Sequence, residues 1–274
     1  MYIPYIILIL IFVLLIYNFK FLNENFENKK IKESVVIVGS AKNIEKNLPT
    51  SLKKIDMLIN LFEKSNVIIF ENDSTDNTLN ILTKWKGDRN NIEIISEIKE
   101  NNPILRKDRT YRLAYGRNLL LDKARLLNPY YFINMDLDNV VSKLNESNFL
   151  KIFNVKEDWS MLGSNNIGKY RDLWALRCKG WLEGDYHQGY KFYKGNRSID
   201  KKEPLIEVDS CFNGFAIYKM KYLKDCRYHG YYNESCKIKN ERYKRQKCEH
   251  VDLHLEMKEK NNAKIYIAPF LISF

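Results

Sequence analysis

The stretch that decides the fold is Tyr130–Val141, YYFINMDLDNVV, in which an apolar and aromatic run ends in two aspartates. Such a run, stopped by Asp and Asn, predicts a buried β-strand followed by a turn. If the backbone is still extended there, Asp136 and Asp138 point to the same side, because side chains alternate along a strand. Converging carboxylates suit Mg²⁺ or Mn²⁺ together with the phosphates of a substrate. A polar turn after a core strand is the alternative that an Asp-x-Asp pattern leaves open.

The chain before this stretch alternates between strand and helix patterns. Short apolar runs predict strands at 34–40, 66–70 and 92–96, and apolar spacing of three and four residues predicts helices at 47–64 and 109–127. A further helix carries Leu79, Leu82 and Trp85, with Ser74 and Asp76 as N-cap candidates. This order predicts an α/β fold with a mostly parallel central sheet and helices on both faces.

Polar clusters close three of the predicted strands, at 39–42, 71–74 and 136–138. Ligands of open α/β sheets bind beyond the carboxyl ends of the strands. We therefore expect the three clusters to share one crevice.

The composition favours a folded protein with anionic partners. The chain has 274 residues, 45% of them hydrophobic, and a formal net charge of +11, so global disorder is excluded as a class. Five cysteines show no CxxC pairing, and four Asn-x-Ser sequons matter only in a secretory lumen, so neither settles the compartment.

The amino-terminal run 2–19 carries no charge. Its length of roughly 27 Å as a helix is close to the thickness of a bilayer core. No basic segment precedes it and no small-residue cleavage site follows it, which favours an uncleaved anchor over a signal peptide. We predict a single-pass anchor at 1–19, a linker at 20–33 and one domain at 34–274. Lysines follow the run and favour a cytoplasmic body, but a lumenal one stays open.

The predicted helix RTYRLAYGRNLLLDKARLL (109–127) places Arg112 and Arg117 beside its apolar stripe. A buried guanidinium needs a partner, and its planar fork suits a diphosphate. The alternative is a pair with Asp122 or another acid of the fold.

Two segments carry a family resemblance. IIFENDSTDNT (68–78) and GRNLLLDKARLLNPYYFINMDLD (116–138) resemble the inverting family 2 glycosyltransferases, and their combination is also similar to the fungal capsule-associated mannosyltransferases. The resemblance covers about 34–141 well and the remainder loosely. It implies a GT-A (Rossmann-like) fold, with a nucleotide-sugar half at 34–141 and an acceptor half at 142–274.

The resemblance also implies roles for residues of the first half. Glu71 would face the nucleotide base, with Asp73 in the same turn. Asp136 would bind the ribose or the metal, and Asp138 would be the main ligand of Mn²⁺ or Mg²⁺. Arg117 would lie near the donor sugar or the diphosphate, and Arg112 on the same helix would also bind the donor. Glu71 replaces the usual Asp and Asp73 a common Gly, so the choice between a UDP-sugar and a GDP-sugar stays open.

The second half is expected to bind a glycan or glycoprotein acceptor. A segment rich in aromatic and polar residues, 159–193, offers Trp174, Arg177 and Trp181 as contacts for a sugar ring, although each could instead pack into the core. EVDSCFNGFAIYK (207–219) resembles the GT-A segment whose glycine lies near the donor sugar, with Asn213 and Gly214 at that place and Asp209 as an acceptor contact.

CEHVDLHLEM (248–257) resembles the family's Gly-Glu-Asp-x-x-Leu segment. Glu249 would then be the catalytic base that takes the proton of an acceptor hydroxyl. With a retaining mechanism, as a closer relation to the fungal enzymes would allow, Glu249 need not be a base. Either His250 or His254 could join Asp138 as a metal ligand. The two histidines could also form a zinc pair, although no third ligand stands at a telling distance.

Two other function classes remain. The basic, tyrosine-rich segment 219–247 could bind nucleic acid or glycan, which would suit a non-catalytic anchored protein, or it could be a solvated loop. A nucleotidyltransferase would need a longer glycine-rich phosphate loop than GSAKN. Three acids in one predicted crevice favour the glycosyltransferase, with nucleic acid an unexpected partner.

Overall fold

The computed structural model describes residues 30–184, 195–231 and 246–274. The predicted anchor at 1–19 and most of the linker lie outside these ranges, as do residues 232–245 of the basic segment 219–247. Within the described ranges, no helix is both long enough and apolar enough to cross a membrane.

The described chain alternates between strands and helices in its first half and becomes less regular after β4. The strands are β1 (Val35–Ala41), β2 (Ser65–Asn72), β3 (Ile92–Glu97), β4 (Tyr131–Met135), β5 (Met161–Asn165), β6 (Ile206–Val208), β7 (Phe215–Lys219) and β8 (Ile265–Ile272). The α-helices are α1 (Leu48–Leu61), α2 (Thr78–Lys86), α3 (Arg109–Leu127), α4 (Glu146–Leu150) and α5 (Glu249–Asn261). Short 3₁₀ helices span Pro103–Arg106, Lys151–Asn154 and Met220–Leu223.

One sheet contains all of these strands, in the order β3-β2-β1-β4-β7-β5-β8-β6. The pairs β3-β2, β2-β1 and β1-β4 are parallel, as predicted. β7 is antiparallel to both β4 and β5, and β6 is antiparallel to β8. β5 and β8, in the second half, are parallel, so four of the seven strand pairings in the described ranges are parallel. The sheet is therefore mixed, and only its first half, from β3 to β4, is parallel throughout. The pairing of the short later strands depends on tertiary packing, which a local pattern does not encode.

Helices cover both faces of the sheet, as predicted. Along β1 the apolar side chains alternate between the two cores, with Val36 and Val38 in one and Val35 and Ile37 in the other. The first core also contains buried residues of α3 and α5, and the second contains the buried face of α1. The sequence of β1 is therefore a continuous apolar run, because both faces of the strand are covered.

A glycine brings α3 close to the sheet. A Cβ atom at Gly116 would lie 2.6 Å from Cδ1 of Phe70 on β2, so no larger residue fits without a shift. The next residue along the helix is Arg117, which the close approach places beside the end of β4.

The helix boundaries differ from prediction mainly at α1 and α2. α1 ends at Leu61 instead of residue 64, and the N-cap of α2 is Asn77. Asp76 accepts from the backbone of Thr78 and Glu45, whereas Ser74 accepts from Asn43. The prediction of Ser74 and Asp76 as N-caps was therefore wrong, because Asp76 accepts from the helix one residue before the cap and the hydroxyl of Ser74 ties this turn to the loop after β1.

The turn before β7 fits tightly against the loop after β4. Asn213 and Gly214 both have positive φ, and the backbone N–H of Asp136 donates to the carbonyl oxygen of Gly214 at 2.8 Å. A Cβ atom at Gly214 would lie 2.4 Å from Cγ2 of Val140. Contact with Val140 is therefore one reason for a glycine at this position, and its approach to a donor sugar stays a prediction.

Gly214→Ala should lower the free energy of unfolding by about 2 to 4 kcal/mol, since the new methyl group adds overpacking to the strain of a positive φ. Urea denaturation of purified variants measures the effect. Gly168→Ala is the matched control, because Gly168 has the same φ of 84° with open space around it. It should cost only about 1 kcal/mol, from the backbone alone. Equal losses in the two variants would contradict the contact with Val140.

Candidate functional site

A crevice with a cavity volume of about 350 Å³ opens at the carboxyl ends of β1, β2 and β4. The end of β1 contributes Lys42, the end of β2 contributes Asn72, and the loop after β4 contributes Asp136 and Asp138. The prediction that the three polar clusters share one crevice is confirmed. The remaining wall comes from α3, α5 and two loops of the second half, through Arg109, Arg112, Arg117, Asp172, Trp174, Phe212, Glu249 and His250.

The guanidinium of Arg117 is the centre of the crevice floor. Its Nε donates to Oε1 of Glu249 at 2.8 Å, and its Nη2 donates to Oδ1 of Asp136 at 2.9 Å. The remaining nitrogen, Nη1, donates to the side-chain oxygen of Asn134 at 2.9 Å. Arg117 is 4% exposed and Glu249 is 3% exposed, so this is a buried ion pair with a second, partly exposed acid at its rim.

Burial opposes the charge of Arg117, but the carboxylates of Asp136 and Glu249 outweigh it and raise the pKa of the guanidinium. The two explanations that the sequence left open for this arginine were a diphosphate and an acid of the fold. In this structure the acids are its partners. Arg117 therefore holds Glu249 and Asp136 in fixed positions at the edge of the crevice.

The two aspartates after β4 form a pair of like charges. Asp138 is exposed, yet its pKa is raised, first by partial desolvation and next by the carboxylate of Asp136. A divalent cation would relieve this repulsion and suits carboxylate oxygens. Within the described ranges, no group of three or more His, Cys, Asp and Glu side chains could hold a metal ion. Asp136 and Asp138 offer carboxylate oxygens of the kind that Mn²⁺ and Mg²⁺ bind, and their role as metal ligands stays a prediction.

Three further cations line the crevice. Lys42 donates from Nζ to the carbonyl oxygens of Asn72 and Asp73, while Arg112 donates to the carbonyl oxygen of Lys107 from the first turn of α3. Arg109, at the start of α3, is exposed at the mouth. Desolvation, and then the charge of Lys99, lower the pKa of Lys42. These cations give the crevice a basic side next to its acidic floor.

The predicted base-binding residues have partners within the protein. Glu71 is buried, and its carboxylate accepts from the backbone of Ser74 and from the hydroxyl of Ser96. Asp73 forms an ion pair with Lys99 at 2.9 Å, which lowers the pKa of its carboxyl. Neither residue lines the cavity, whereas Asn72 between them does. Their role in binding a base stays a prediction.

The predicted acceptor residues are spread over the second half. Trp174 lines the crevice, while the guanidinium of Arg177 donates to the carbonyl oxygens of Trp174 and Leu176. Trp181 packs against Tyr170, and Asp209 pairs with Lys258. The structure therefore brings only Trp174 of this group to the cavity wall, together with Arg177 as the residue that holds its backbone.

Asn213 supports an acid that sequence reasoning missed. Its backbone N–H donates to Oδ2 of Asp172 at 3.0 Å, and the N–H of Ala175 donates to Oδ1 at 3.3 Å. Asp172 lines the crevice, and burial, aided by the charges of Asp136 and Glu249, raises its pKa. A single Asp within an aromatic segment gives no pattern of its own. Only its position two residues before Trp174 could have pointed to it.

His250 and His254 lie on one face of α5 but differ in their partners. Nδ1 of His254 contacts the hydroxyl of Ser210 at 2.9 Å, and Nε2 contacts the hydroxyl of Tyr218 at 3.0 Å. Since both of its ring nitrogens are used, His254 is a core histidine, and the zinc pair is not supported. His250 stacks on Phe212 at a centroid distance of 3.7 Å, and its Nε2 lies 3.8 Å from Oε1 of Glu249. It lines the crevice, and a metal-ligand role for it stays a prediction.

Comparisons with known proteins find similar solved structures at low sequence identity. No protein-family model and no curated protein matches the sequence. Among solved structures, the crystal structure of S. aureus TarS 1-349 aligns with a TM-score of 0.47 and 16% identity over 86% of this chain and 58% of that chain. The TarS 1-349 complex with UDP-GlcNAc gives a TM-score of 0.47 and 16% identity over 86% of this chain and 56% of that chain. Glucosyl-3-phosphoglycerate synthase from Mycobacterium tuberculosis, in complex with Mn²⁺, UDP and phosphoglyceric acid, aligns with a TM-score of 0.44 and 11% identity. This alignment covers 85% of this chain and 67% of that chain.

This chain thus spans little more than half of the TarS structure. Similarities of this size carry no argument about activity.

Arg117→Met should lower the free energy of unfolding by about 3 to 5 kcal/mol, because it leaves Glu249 buried without its cation. Thermal or urea unfolding measures the loss. Adding Glu249→Gln should recover part of it, so that the double variant loses less than the sum of the two single variants by about 1 to 3 kcal/mol. Lys123→Met, which removes an exposed pair with Glu93, is the control and should cost about 1 kcal/mol or less. Additive losses for Arg117 and Glu249 would contradict a coupled pair.

The fold should lose stability in acid through His254. Burial lowers the pKa of this histidine from 6.5 to about 3. A lowered pKa in the folded state means that the stabilisation is complete above pH 6.5 and is lost as the pH falls from there toward 3. The loss is about 1.4 kcal/mol per pH unit for one proton. The free energy of unfolding is measured between pH 7 and 5 for the unmodified chain and for His254→Gln. It should fall less steeply with decreasing pH in the variant, by up to about that slope. Equal slopes in the two proteins would contradict the role of His254.

Proposed function

We propose that this chain is a glycosyltransferase that moves a sugar from a nucleotide-diphosphate donor to a glycan or glycoprotein acceptor. The observation that carries the proposal is the crevice at the carboxyl ends of the parallel strands. It combines a basic side, an aspartate pair and a buried Arg117–Glu249 pair. The motif resemblance of 68–78 and 116–138 to the family 2 glycosyltransferases supports the same reading.

The basic side suits the donor. Lys42, Arg109 and Arg112 supply charge for the two phosphates, and the guanidinium groups can bind phosphate oxygens in a bidentate manner. Asn72 offers an amide at the end of β2, where the resemblance places the nucleotide base. The choice between a UDP-sugar and a GDP-sugar is left to the experiment.

Asp136 and Asp138 would hold Mn²⁺ or Mg²⁺, with His250 as a third ligand. When bound, the cation would neutralise charge on the donor phosphates. Arg117 contributes by donating a hydrogen bond that fixes Oδ1 of Asp136. The same bond sets the direction of the second oxygen of that carboxylate.

Glu249 is the proposed base. It would take the proton of the acceptor hydroxyl while that oxygen forms a bond to the anomeric carbon. The bond from the anomeric carbon to the diphosphate then breaks, and the nucleoside diphosphate leaves with the electron pair. Arg117 holds Oε1 of Glu249 at 2.8 Å, so the second carboxylate oxygen is the one available to the acceptor. Trp174 on the crevice wall would contact the acceptor sugar. With a retaining mechanism, Glu249 would position the acceptor instead.

Each nucleoside diphosphate can be tested by thermal unfolding of the full chain in a neutral detergent. UDP, GDP and CDP are added separately, with and without Mn²⁺. A ligand at a hundred times its Kd stabilises the folded state by about 2.7 kcal/mol, which gives a visible increase in Tm. We expect a metal-dependent increase with one nucleotide and its loss in Asp138→Asn. Asp158→Asn, at an exposed acid paired with Lys264, is the matched control and should keep the increase.

Turnover separates the enzyme from the non-catalytic binding protein that the sequence left open. The nucleotide sugar that carries the stabilising nucleotide is incubated with the chain, and release of the nucleoside diphosphate is measured. Glu249→Gln should retain the Tm increase and lose roughly 10²- to 10⁴-fold in release. Absence of any nucleotide effect would overturn the transferase proposal. Binding without release by the unmodified chain would favour the binding protein.

A further inference from the structure

Exposed apolar side chains gather at the end of the sheet opposite to the crevice. Leu126 is 82% exposed, Leu127 is 49% exposed and Tyr130 is 48% exposed. All three lie within five consecutive residues, where α3 ends and the chain turns into β4. A contiguous apolar group of this kind on a basic protein marks a contact surface.

A basic pocket of about 740 Å³ borders this apolar group. Its wall includes Tyr130, Lys219, Lys221 and Lys224, with Asp225 as an acid among the lining residues. Lys219 is partly buried over the ring of Trp159 at 4.6 Å. Lys221 and Lys224 are exposed, and neither forms an ion pair with another residue in the described part of the chain. Their charges are therefore available to an anionic partner.

The amino-terminal segment joins the fold at the same end. Ser34 lines the basic pocket, and both its backbone oxygen and its hydroxyl accept from the N–H of Tyr130. The described chain begins at Lys30, four residues earlier, which places its start within about 14 Å of the pocket. The uncharged run 2–19 precedes this point in the sequence.

We propose that this end of the fold, formed by Leu126, Leu127, Tyr130, Lys221 and Lys224, rests on a membrane surface that contains anionic lipid. The two leucines and the tyrosine ring would enter the headgroup region, and the lysines would contact lipid phosphates. Tyrosine and lysine suit this boundary because each has an apolar body and a polar tip. The proposal does not depend on the glycosyltransferase activity, since none of these residues lines the crevice.

The orientation follows from β1. Ser34 precedes this strand at the membrane end, and Ala41 closes it at the crevice, so about 20 Å of extended chain separates the two. When a membrane surface contacts Leu126, the mouth of the crevice lies on the side of the fold away from the membrane and is open to soluble ligands.

The test uses the full chain in lipid nanodiscs. One set contains phosphatidylcholine alone and the other phosphatidylcholine with phosphatidylglycerol, and amide hydrogen exchange is followed by mass spectrometry. Peptides covering 123–131 and 219–226 should take up deuterium at least about threefold more slowly on the anionic discs, since each lysine near an anionic surface favours contact by roughly fivefold. Peptides covering 39–46 and 136–141, at the crevice, should be unchanged. High salt should remove the difference.

Lys221→Glu/Lys224→Glu should abolish the slower exchange. Lys201→Glu/Lys202→Glu is the matched control, since it changes the charge equally at two exposed lysines of a different pocket and should preserve the effect. Equal exchange on the two kinds of disc would overturn the proposal. It would also be overturned if both double variants lost the slower exchange to the same degree, or if the full chain did not associate with discs. A nucleotide-dependent Tm increase would be unaffected by any of these outcomes, so the two proposals fail separately.

Discussion

The structure depends on one buried guanidinium. Arg117 on α3 joins β4 through Asn134, the loop after β4 through Asp136, and the first turn of α5 through Glu249. Helix α5 belongs to the last quarter of the chain, whereas α3 and β4 belong to its first half. A charge that is nearly inaccessible to water requires compensation, so the two halves have to meet at this point. The same requirement creates a crevice with an ordered acidic floor.

The first half of the fold was predictable because its local signals agree. β1, β2, β3 and β4 are short apolar runs, and α3 matches its predicted span from Arg109 to Leu127. Alternation of such elements leaves few possible arrangements, and a parallel sheet places their carboxyl ends together. For that reason the convergence of Lys42, Asn72 and Asp136 followed from sequence.

The second half was not predictable to the same degree, because its contacts are between residues that are distant in sequence. β7 inserts between β4 and β5, and nothing within Phe215–Lys219 encodes an antiparallel partner on each side. Asp172, a wall of the crevice, is held in part by the backbone of Asn213, which is 41 residues away in sequence. The pair of Arg117 with Glu249 has the same character, since the helix pattern indicated a buried guanidinium without identifying its acid.

The position of β7 has a consequence for synthesis of the chain. When a ribosome has released β1 to β4, the parallel half is complete except that β4 has an unpaired edge. That edge stays open until Phe215–Lys219 has emerged, after the whole segment from Asp136 to Gly214 has been made. Open strand edges in nascent chains favour pairing with other molecules. The nascent chain is therefore most vulnerable to aggregation in this interval, and a chaperone that shields β4 would act there.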